Sequence, residues 1–110
     1  MSRRKPRQVV WTDRALDNLR AIGDFIARDN PAAAEKWVGT LMTAAESAAE
    51  TPLAGRVVPE FKREDVRELL RRTYRIVYRV REQSLEVLTV FEGHRRFPQG
   101  VLPDTSSPDE

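Results

Sequence analysis

Three β-forming runs follow one another in the last third of this chain: Val66-Arg67-Glu68-Leu69-Leu70-Arg71, Tyr74-Arg75-Ile76-Val77-Tyr78-Arg79-Val80 and Leu85-Glu86-Val87-Leu88-Thr89-Val90-Phe91. In the second run, apolar and aromatic residues alternate with mostly basic ones. This is the two-residue period of a strand with one apolar face and one basic face. The third run is apolar on both faces, as expected of a central strand. Arginine inside a strand is costly unless its face has a function, so these positions predict a functional surface.

The N-terminal half has the pattern of a short strand followed by two helices. Gln8–Trp11 is a short apolar run, and Thr12 is a good N-cap for the helix that follows. Asn30-Pro31 predicts the end of that helix and the start of a second one, because the residue before a proline avoids the α region. The apolar residues of the two helices recur at three- and four-residue spacing, and those we expect to face inward are Ala15, Leu16, Leu19, Ile22, Ile26, Ala34, Trp37, Val38, Leu41, Ala45 and Ala48.

The element order is therefore β-α-α-β-β-β, which predicts an α+β fold. A helical hairpin packed on one face of a small, mainly antiparallel sheet is the two-layer arrangement that buries both apolar stripes. The floor beneath the helices is predicted to be Tyr74, Ile76, Tyr78 and Val80. We expect one domain over residues 8–98, preceded by a flexible basic N-terminus (1–7) and followed by a flexible acidic tail (99–110).

Composition excludes several classes of protein. The chain has 110 residues, 40% of them hydrophobic, and no apolar run approaches the about 20 residues of a membrane helix. It has no cysteine, which excludes disulfides and thiolate chemistry, and a cytoplasmic location is the expectation. Residues 56–81 carry nine Lys or Arg against four acids. Such a surface suits phosphate or an acidic protein surface, or is a solvated face with scattered ion pairs.

No nucleotide-binding or metalloprotease motif is present, and we expect neither a cofactor nor a metal. A metal site on His94 would be electrostatically unfavourable beside Arg95 and Arg96. Guanidinium groups are suited to phosphate or carboxylate contacts. RNA cleavage would also need a proton acceptor and a proton donor, and His94 is the one side chain with an ordinary pKa near neutrality.

Four segments in this order and spacing resemble the RelE/ParE superfamily of toxins from bacterial type II toxin–antitoxin modules. They are Pro52-Leu53-Ala54-Gly55-Arg56, Arg67-Glu68-Leu69, Tyr74–Val80 and Gly93-His94-Arg95-Arg96. The resemblance covers about residues 8–98. It implies a toxin that is held inactive by a small cognate antitoxin protein.

Within that superfamily, RelE-like members cleave mRNA in the ribosomal decoding site, with lysines before the Tyr-Arg strand, two arginines and often a tyrosine near the C-terminus. Arg75 and Arg95 match the two arginines, but Glu68 lies where a cation would be wanted and no tyrosine follows Tyr78. The chain is therefore more similar to the ParE branch, whose members poison DNA gyrase by binding.

The resemblance thus implies a gyrase-binding toxin without a catalytic residue, with its target contacts among Arg56, Arg67, Arg75, Arg79, His94, Arg95 and Arg96. One alternative is a ribosome-dependent mRNA endoribonuclease that uses Arg75, His94 and Arg95. The other is a diverged, non-toxic scaffold that binds the antitoxin. The oligomeric state is not predicted by any of these patterns.

Overall fold

The computed structural model describes residues 7–102, and the element order of the fold matches the prediction with one addition. The strands and helices are β1 (Gln8–Trp11), α1 (Asp13–Ala27), α2 (Pro31–Ala48), β2 (Arg56–Val57), β3 (Val66–Arg71), β4 (Tyr74–Val80) and β5 (Ser84–Glu92), with a one-turn 3-10 helix at Pro52–Ala54. The added element is β2, which is only two residues long. The expectations for residues 1–6 and 103–110 lie outside the described residues.

The five strands form one mixed sheet in the order β1-β5-β4-β3-β2. The first and last strands, β1 and β5, pair in parallel, and the other three pairings are antiparallel. The first and last strands are therefore neighbours in the sheet, and their pairing holds the N-terminal strand against the C-terminal half of the domain. Neither helix in residues 7–102 has the length and apolarity needed to cross a membrane.

Both helices begin at the predicted caps. The Thr12 side-chain oxygen accepts a hydrogen bond from the Ala15 amide at 3.1 Å, and Asn30 Oδ1 accepts one from the Ala33 amide at 3.0 Å. Each satisfies an amide that the first helical turn leaves without a partner. Pro31 occupies the first position of α2, where its missing N–H matters least.

The main core lies between the helices and one face of the sheet, as predicted. The expectation for Leu16 was wrong, because this residue lies on the solvent side of α1 and is 40% exposed. Ile76 and Tyr78 of β4 and Leu41 of α2 are fully buried there. Tyr74 and Val80 pack at the edges of the same cluster, so the predicted floor is confirmed. The small side chains of α2 let the helix approach its neighbours closely, and those that are buried are Ala34, Ala44, Ala45 and Ala48.

A second core lies on the opposite face of the sheet. Val77, Leu88 and Phe91 are buried there, and the chain after β5 returns to cover them with Val101 and Leu102, which are 4% and 5% exposed. Residues 99–102 are therefore not part of the flexible tail that the sequence predicts. The structure differs because β5 is apolar on both faces and Val77 of β4 joins it on the second face, which needs a cover that the helical hairpin cannot supply.

Two glycines give a matched test of this packing. A Cβ on Gly55 would overlap the Tyr78 hydroxyl and lie 2.8 Å from the Glu68 carbonyl oxygen, whereas a Cβ on Gly39 would meet nothing within 4 Å. We expect Gly55→Ala to lower the free energy of unfolding by about 1–3 kcal/mol through steric strain. Gly39→Ala, in the middle of α2, should raise it by about 0.5–1 kcal/mol. Urea denaturation measures both, and equal effects of the two substitutions would contradict the packing described here.

Candidate target-binding surface

Arg75 is the centre of a charged cluster on the face of the sheet that carries the second core. Its Nε donates to Glu68 Oε1 at 2.6 Å, and its two terminal nitrogens donate to the two carboxylate oxygens of Glu60 at 2.9 and 3.2 Å. The guanidinium lies beside the rings of Phe91 and Phe97, 5.2 and 5.1 Å from their centroids. With its side chain 11% exposed, Arg75 is a buried residue that contacts other parts of the same chain.

Glu68 completes this cluster from β3. Its side chain has no solvent exposure, and it accepts hydrogen bonds from both Arg75 and Arg56. Two carboxylates, Glu60 and Glu68, thus face two guanidinium groups. Within residues 7–102, every buried side-chain nitrogen and oxygen has a hydrogen-bond partner. The cluster is electrically balanced and satisfied internally, which is the condition for burying charge without a large penalty.

Arg79, two residues further along β4, is also held internally. It is 5% exposed, and its Nε and Nη2 donate to Glu86 Oε1 at 3.2 and 3.0 Å. Arg81 lies near the same carboxylate, at 3.9 Å. The predicted basic face of β4 is therefore neutralised by acids on the neighbouring strands and the 58–65 connection.

Arg67 lies on the other face of the sheet, opposite Tyr78 in the register. Its guanidinium donates to the carbonyl oxygens of Glu64, Leu53 and Gly55 at 2.9, 3.3 and 3.1 Å. The Tyr78 hydroxyl donates to the Pro52 carbonyl at 2.7 Å, and burial raises the pKa of that phenol. These two side chains hold the Pro-Leu-Ala-Gly loop in place, and Tyr78 is poorly suited to act as a base.

His94, Arg95 and Arg96 follow β5 and are all exposed. His94 Nδ1 lies 2.7 Å from Glu92 Oε2, and the His94 backbone amide donates to the other oxygen at the same distance. These hydrogen bonds lower the pKa of Glu92. Among the residues that the structure describes, no carboxylate lies within 4.0 Å of a nitrogen of Arg95 or Arg96. They are solvent-facing cations.

The seven predicted target-binding residues therefore fall into separate groups. Arg56 and Arg75 both bind Glu68, and Arg79 binds Glu86. Arg67 lies on the opposite face of the sheet. The other three lie at the end of β5 and are His94, Arg95 and Arg96. The sequence singled out Glu68 only as an acid in place of a cation. It did not predict Glu60, Glu68 or Glu86 as partners of the sheet arginines. The signal for Glu86 was the pairing of β4 with β5, which places Arg79 directly opposite it. The described residues hold no group of three or more potential metal ligands.

The buried cluster predicts that replacing Glu68 lowers the free energy of unfolding much more than replacing Glu64. Glu68→Gln keeps the shape of the side chain but removes the fully buried negative charge, so that the buried Arg75 keeps only the partly exposed Glu60 as a counter-charge. We expect a loss of about 3 kcal/mol in the free energy of unfolding. Glu64→Gln removes an ion pair whose carboxylate is 91% exposed, and should cost under about 1 kcal/mol. Urea denaturation of both variants is the measurement, and a loss for Glu68→Gln as small as that for Glu64→Gln would contradict a buried charge cluster.

Glu60 predicts a dependence of stability on pH. Its hydrogen bonds with Arg75 lower its pKa from the ordinary value of 4.5. A carboxyl whose pKa is lower in the folded state stabilises the fold above its unfolded pKa, and that contribution disappears as the pH falls through the folded value. We therefore expect Glu60→Gln to lower the melting temperature near neutral pH, and the gap from the unmodified protein to close below about pH 4. A gap that is constant across this range would contradict the contact.

Comparisons with known proteins agree with the fold. The family described as ParE toxin of type II toxin-antitoxin system, parDE, matches residues 9–97. A relative from Sinorhizobium fredii, named "Putative toxin Y4kP", is 39% identical over 101 residues, which are 90% of this chain and 98% of that protein. "Toxin RelE2" of Caulobacter vibrioides is 49% identical over 57 residues, which are 52% of this chain and 65% of that protein.

A solved structure titled "Chromosomal ParDE TA system from P. aeruginosa" has the same fold. Its TM-score is 0.65 at 24% identity, and the match covers 78% of this chain and 95% of that one. The family match spans most of the domain, from β1 to Phe97, the residue after Arg95 and Arg96. This chain belongs to the ParE toxin family of type II toxin–antitoxin systems.

Proposed function

We propose that this toxin inhibits DNA gyrase by binding it, without cleaving RNA, and that a cognate antitoxin neutralises it in the cytoplasm. The observation that carries the proposal is the state of Arg75. An arginine that stabilised a phosphate during RNA cleavage would have to present its N–H groups to the substrate. Here Nε and both terminal nitrogens donate to Glu60 and Glu68, and the ring of Phe97 lies beside them.

The other residues that RNA cleavage would use are poorly placed for it. His94 is held by Glu92, and the negative charge of Glu68 would oppose a phosphate near Arg75. Moving the Arg75 guanidinium to a substrate would also leave the fully buried Glu68 with only the more exposed Arg56 as a partner, which is unfavourable. Both arguments support a protein that acts by binding.

Arg95 and Arg96 are the cations that we assign to the gyrase contact. They are exposed, and arginine is enriched in protein interfaces because its planar group makes several directed hydrogen bonds. His94 lies beside them on the same turn. The sheet arginines, in contrast, support the fold from which this turn projects.

The antitoxin is the second proposed partner. The solved structure with the same fold is titled as a ParDE system, which supports a partner of that kind for this chain. Two large apolar residues of α1 are exposed, Leu16 at 40% and Phe25 at 66%. A partner that packed against them would remove this apolar surface from water.

A second candidate function is ribosome-dependent cleavage of mRNA. It is favoured by the 49% identity with the relative named Toxin RelE2, which extends over about half of this chain. In that case the cluster around Arg75 would have to open on the ribosome. The remaining alternative, a non-toxic scaffold, would leave growth unchanged when the protein is expressed without its antitoxin.

Two assays run side by side separate these functions. We expect purified protein to inhibit gyrase supercoiling or to trap cleaved DNA, and to leave mRNA intact in a translating extract. The double substitution Arg95→Ala, Arg96→Ala should weaken gyrase inhibition by about tenfold or more, equivalent to about 1.4 kcal/mol, with an unchanged melting temperature. Lys62→Ala, an exposed cation outside this turn, is the control. Codon-positioned mRNA cleavage without any effect on gyrase would contradict the proposal.

A further inference from the structure

A groove runs between α2 and the turn that joins β3 to β4. Its helix side is lined by polar residues spaced four, three and four positions apart, and these are Lys36, Thr40, Thr43 and Ser47. This spacing places them on one face of α2. The opposite wall is formed by residues 71–73. We call this the α2 groove, and it is about 16 Å long because each helical residue adds about 1.5 Å.

The charge of the α2 groove has one sign. None of the described residues that line it is an acid, although the chain has 17 acids, and the two acids of α2, Glu35 and Glu46, lie outside it. Three cations line it, Lys36, Arg71 and Arg72. Among residues 7–102, no carboxylate oxygen lies within 4.0 Å of a nitrogen of these three. Their positive charge therefore has no internal counter-charge.

Hydroxyl groups continue the groove along α2. Thr43 and Ser47 are exposed, and within the described part of the chain their hydroxyls make no hydrogen bond. The Thr40 hydroxyl donates to the Lys36 carbonyl oxygen at 3.0 Å and keeps its lone pairs toward solvent. Cationic and hydroxyl side chains are the groups that proteins use most to hold the phosphates of a nucleic acid.

The backbone of Arg72 is strained at the tip of the turn. Its φ of 54° lies in the left-handed region, where glycine or asparagine is usual in a tight turn. Strain of this kind is concentrated at functional sites. The Arg72 guanidinium lies 4.9 Å from the centroid of the Trp37 ring, so it covers the large aromatic side chain of the groove. Trp37 is therefore not a platform for an unstacked base or for an apolar anchor of a protein.

We propose that the α2 groove binds the phosphate backbone of duplex DNA. A duplex presents phosphates and keeps its bases stacked, so it needs cations and hydroxyls but no aromatic platform. One strand places a phosphate about every 3.4 Å along the axis, so the groove spans about five phosphates. The duplex that meets this surface is the DNA segment held by gyrase, and in this one respect the inference rests on the proposed function.

The first experiment measures DNA binding without gyrase, by fluorescence anisotropy of a labelled duplex of mixed sequence. The triple substitution Lys36→Gln, Arg71→Gln, Arg72→Gln should weaken binding by about tenfold or more at low salt. It should also reduce the slope of the logarithm of affinity against the logarithm of salt concentration by about 2–3, since each phosphate contact contributes about 0.9.

A matched control removes the same number of charges elsewhere. The triple Arg20→Gln, Lys62→Gln, Arg81→Gln changes exposed cations outside the groove, and it should alter DNA affinity by less than about threefold. Thermal melting checks that both triple variants fold.

A second variant keeps the inference testable if the groove triple impairs folding. Thr43→Glu, Ser47→Glu places two acids at exposed positions of α2, so the melting temperature should be nearly unchanged. Repulsion of phosphate should still weaken DNA binding by about tenfold. The double variant Arg20→Gln, Lys62→Gln makes the same change in net charge and is its control.

The gyrase assay then asks whether this DNA contact is used on the enzyme. The groove triple should trap about tenfold less cleaved DNA than the control triple, while its affinity for gyrase in the absence of DNA should be unchanged. An unchanged yield of cleaved DNA would contradict a contact with the DNA that gyrase holds.

Several results would overturn the inference. They are an equal loss of DNA affinity in the two triple variants, full affinity in Thr43→Glu, Ser47→Glu, or no saturable binding of the duplex by the unmodified protein. Tighter groove-dependent binding of a single strand, an RNA duplex or an oligo-glutamate peptide would also overturn it and would identify a different occupant. Duplex binding as expected without inhibition of gyrase would contradict the proposed target alone, and inhibition of gyrase without groove-dependent DNA binding would contradict the groove assignment alone.

Discussion

The ion pair between Arg75 and Glu68 is the contact on which the rest of the sheet face depends. It joins β3 to β4, and the same guanidinium reaches Glu60 in the 58–65 connection. The rings beside it, Phe91 and Phe97, belong to β5 and to the segment that follows it. One buried side chain therefore links two strands, a connection and the C-terminal cover of the second core. Loss of either partner would leave a buried charge with only one, more exposed partner, Glu60 for Arg75 or Arg56 for Glu68, which is unfavourable.

Because of this arrangement, the arginines of β4 do not form a free basic surface. In β4 the arginines act as buried structural groups, and each has a carboxylate within 3.2 Å. Among residues 7–102, the cations without a carboxylate partner lie elsewhere. Arg95 and Arg96 follow β5, and Lys36, Arg71 and Arg72 lie along α2 and at the turn between β3 and β4. These two surfaces are formed by different elements.

Much of the fold could be predicted from the sequence because its signals are local. The alternation along Tyr74–Val80 identified the floor of the main core, and Thr12 and Asn30-Pro31 identified the helix starts. The second core could not be predicted in this way. It depends on Val101 and Leu102, a short apolar pair that follows a proline and a glycine and has no recognisable periodicity. Their burial follows from their packing on the second face of the sheet, which is a long-range contact. The partners of the arginines were harder still to predict. Glu86 lies beside Arg79 because of the register between β4 and β5, and Glu60 lies beside Arg75 because of the path of the 58–65 connection.

The central claim is that Arg75 and Arg79 are bound to carboxylates of their own chain and are therefore not available to bind a phosphate. Nitrogen-15 NMR of the arginine Nε–H groups tests it most directly, during a titration with a short single-stranded RNA. The account predicts slow solvent exchange of the Arg75 and Arg79 Nε–H protons and no change in their signals as RNA is added. A saturable shift of the Arg75 signal, with faster exchange of its Nε–H proton, would contradict the account and restore the nuclease interpretation.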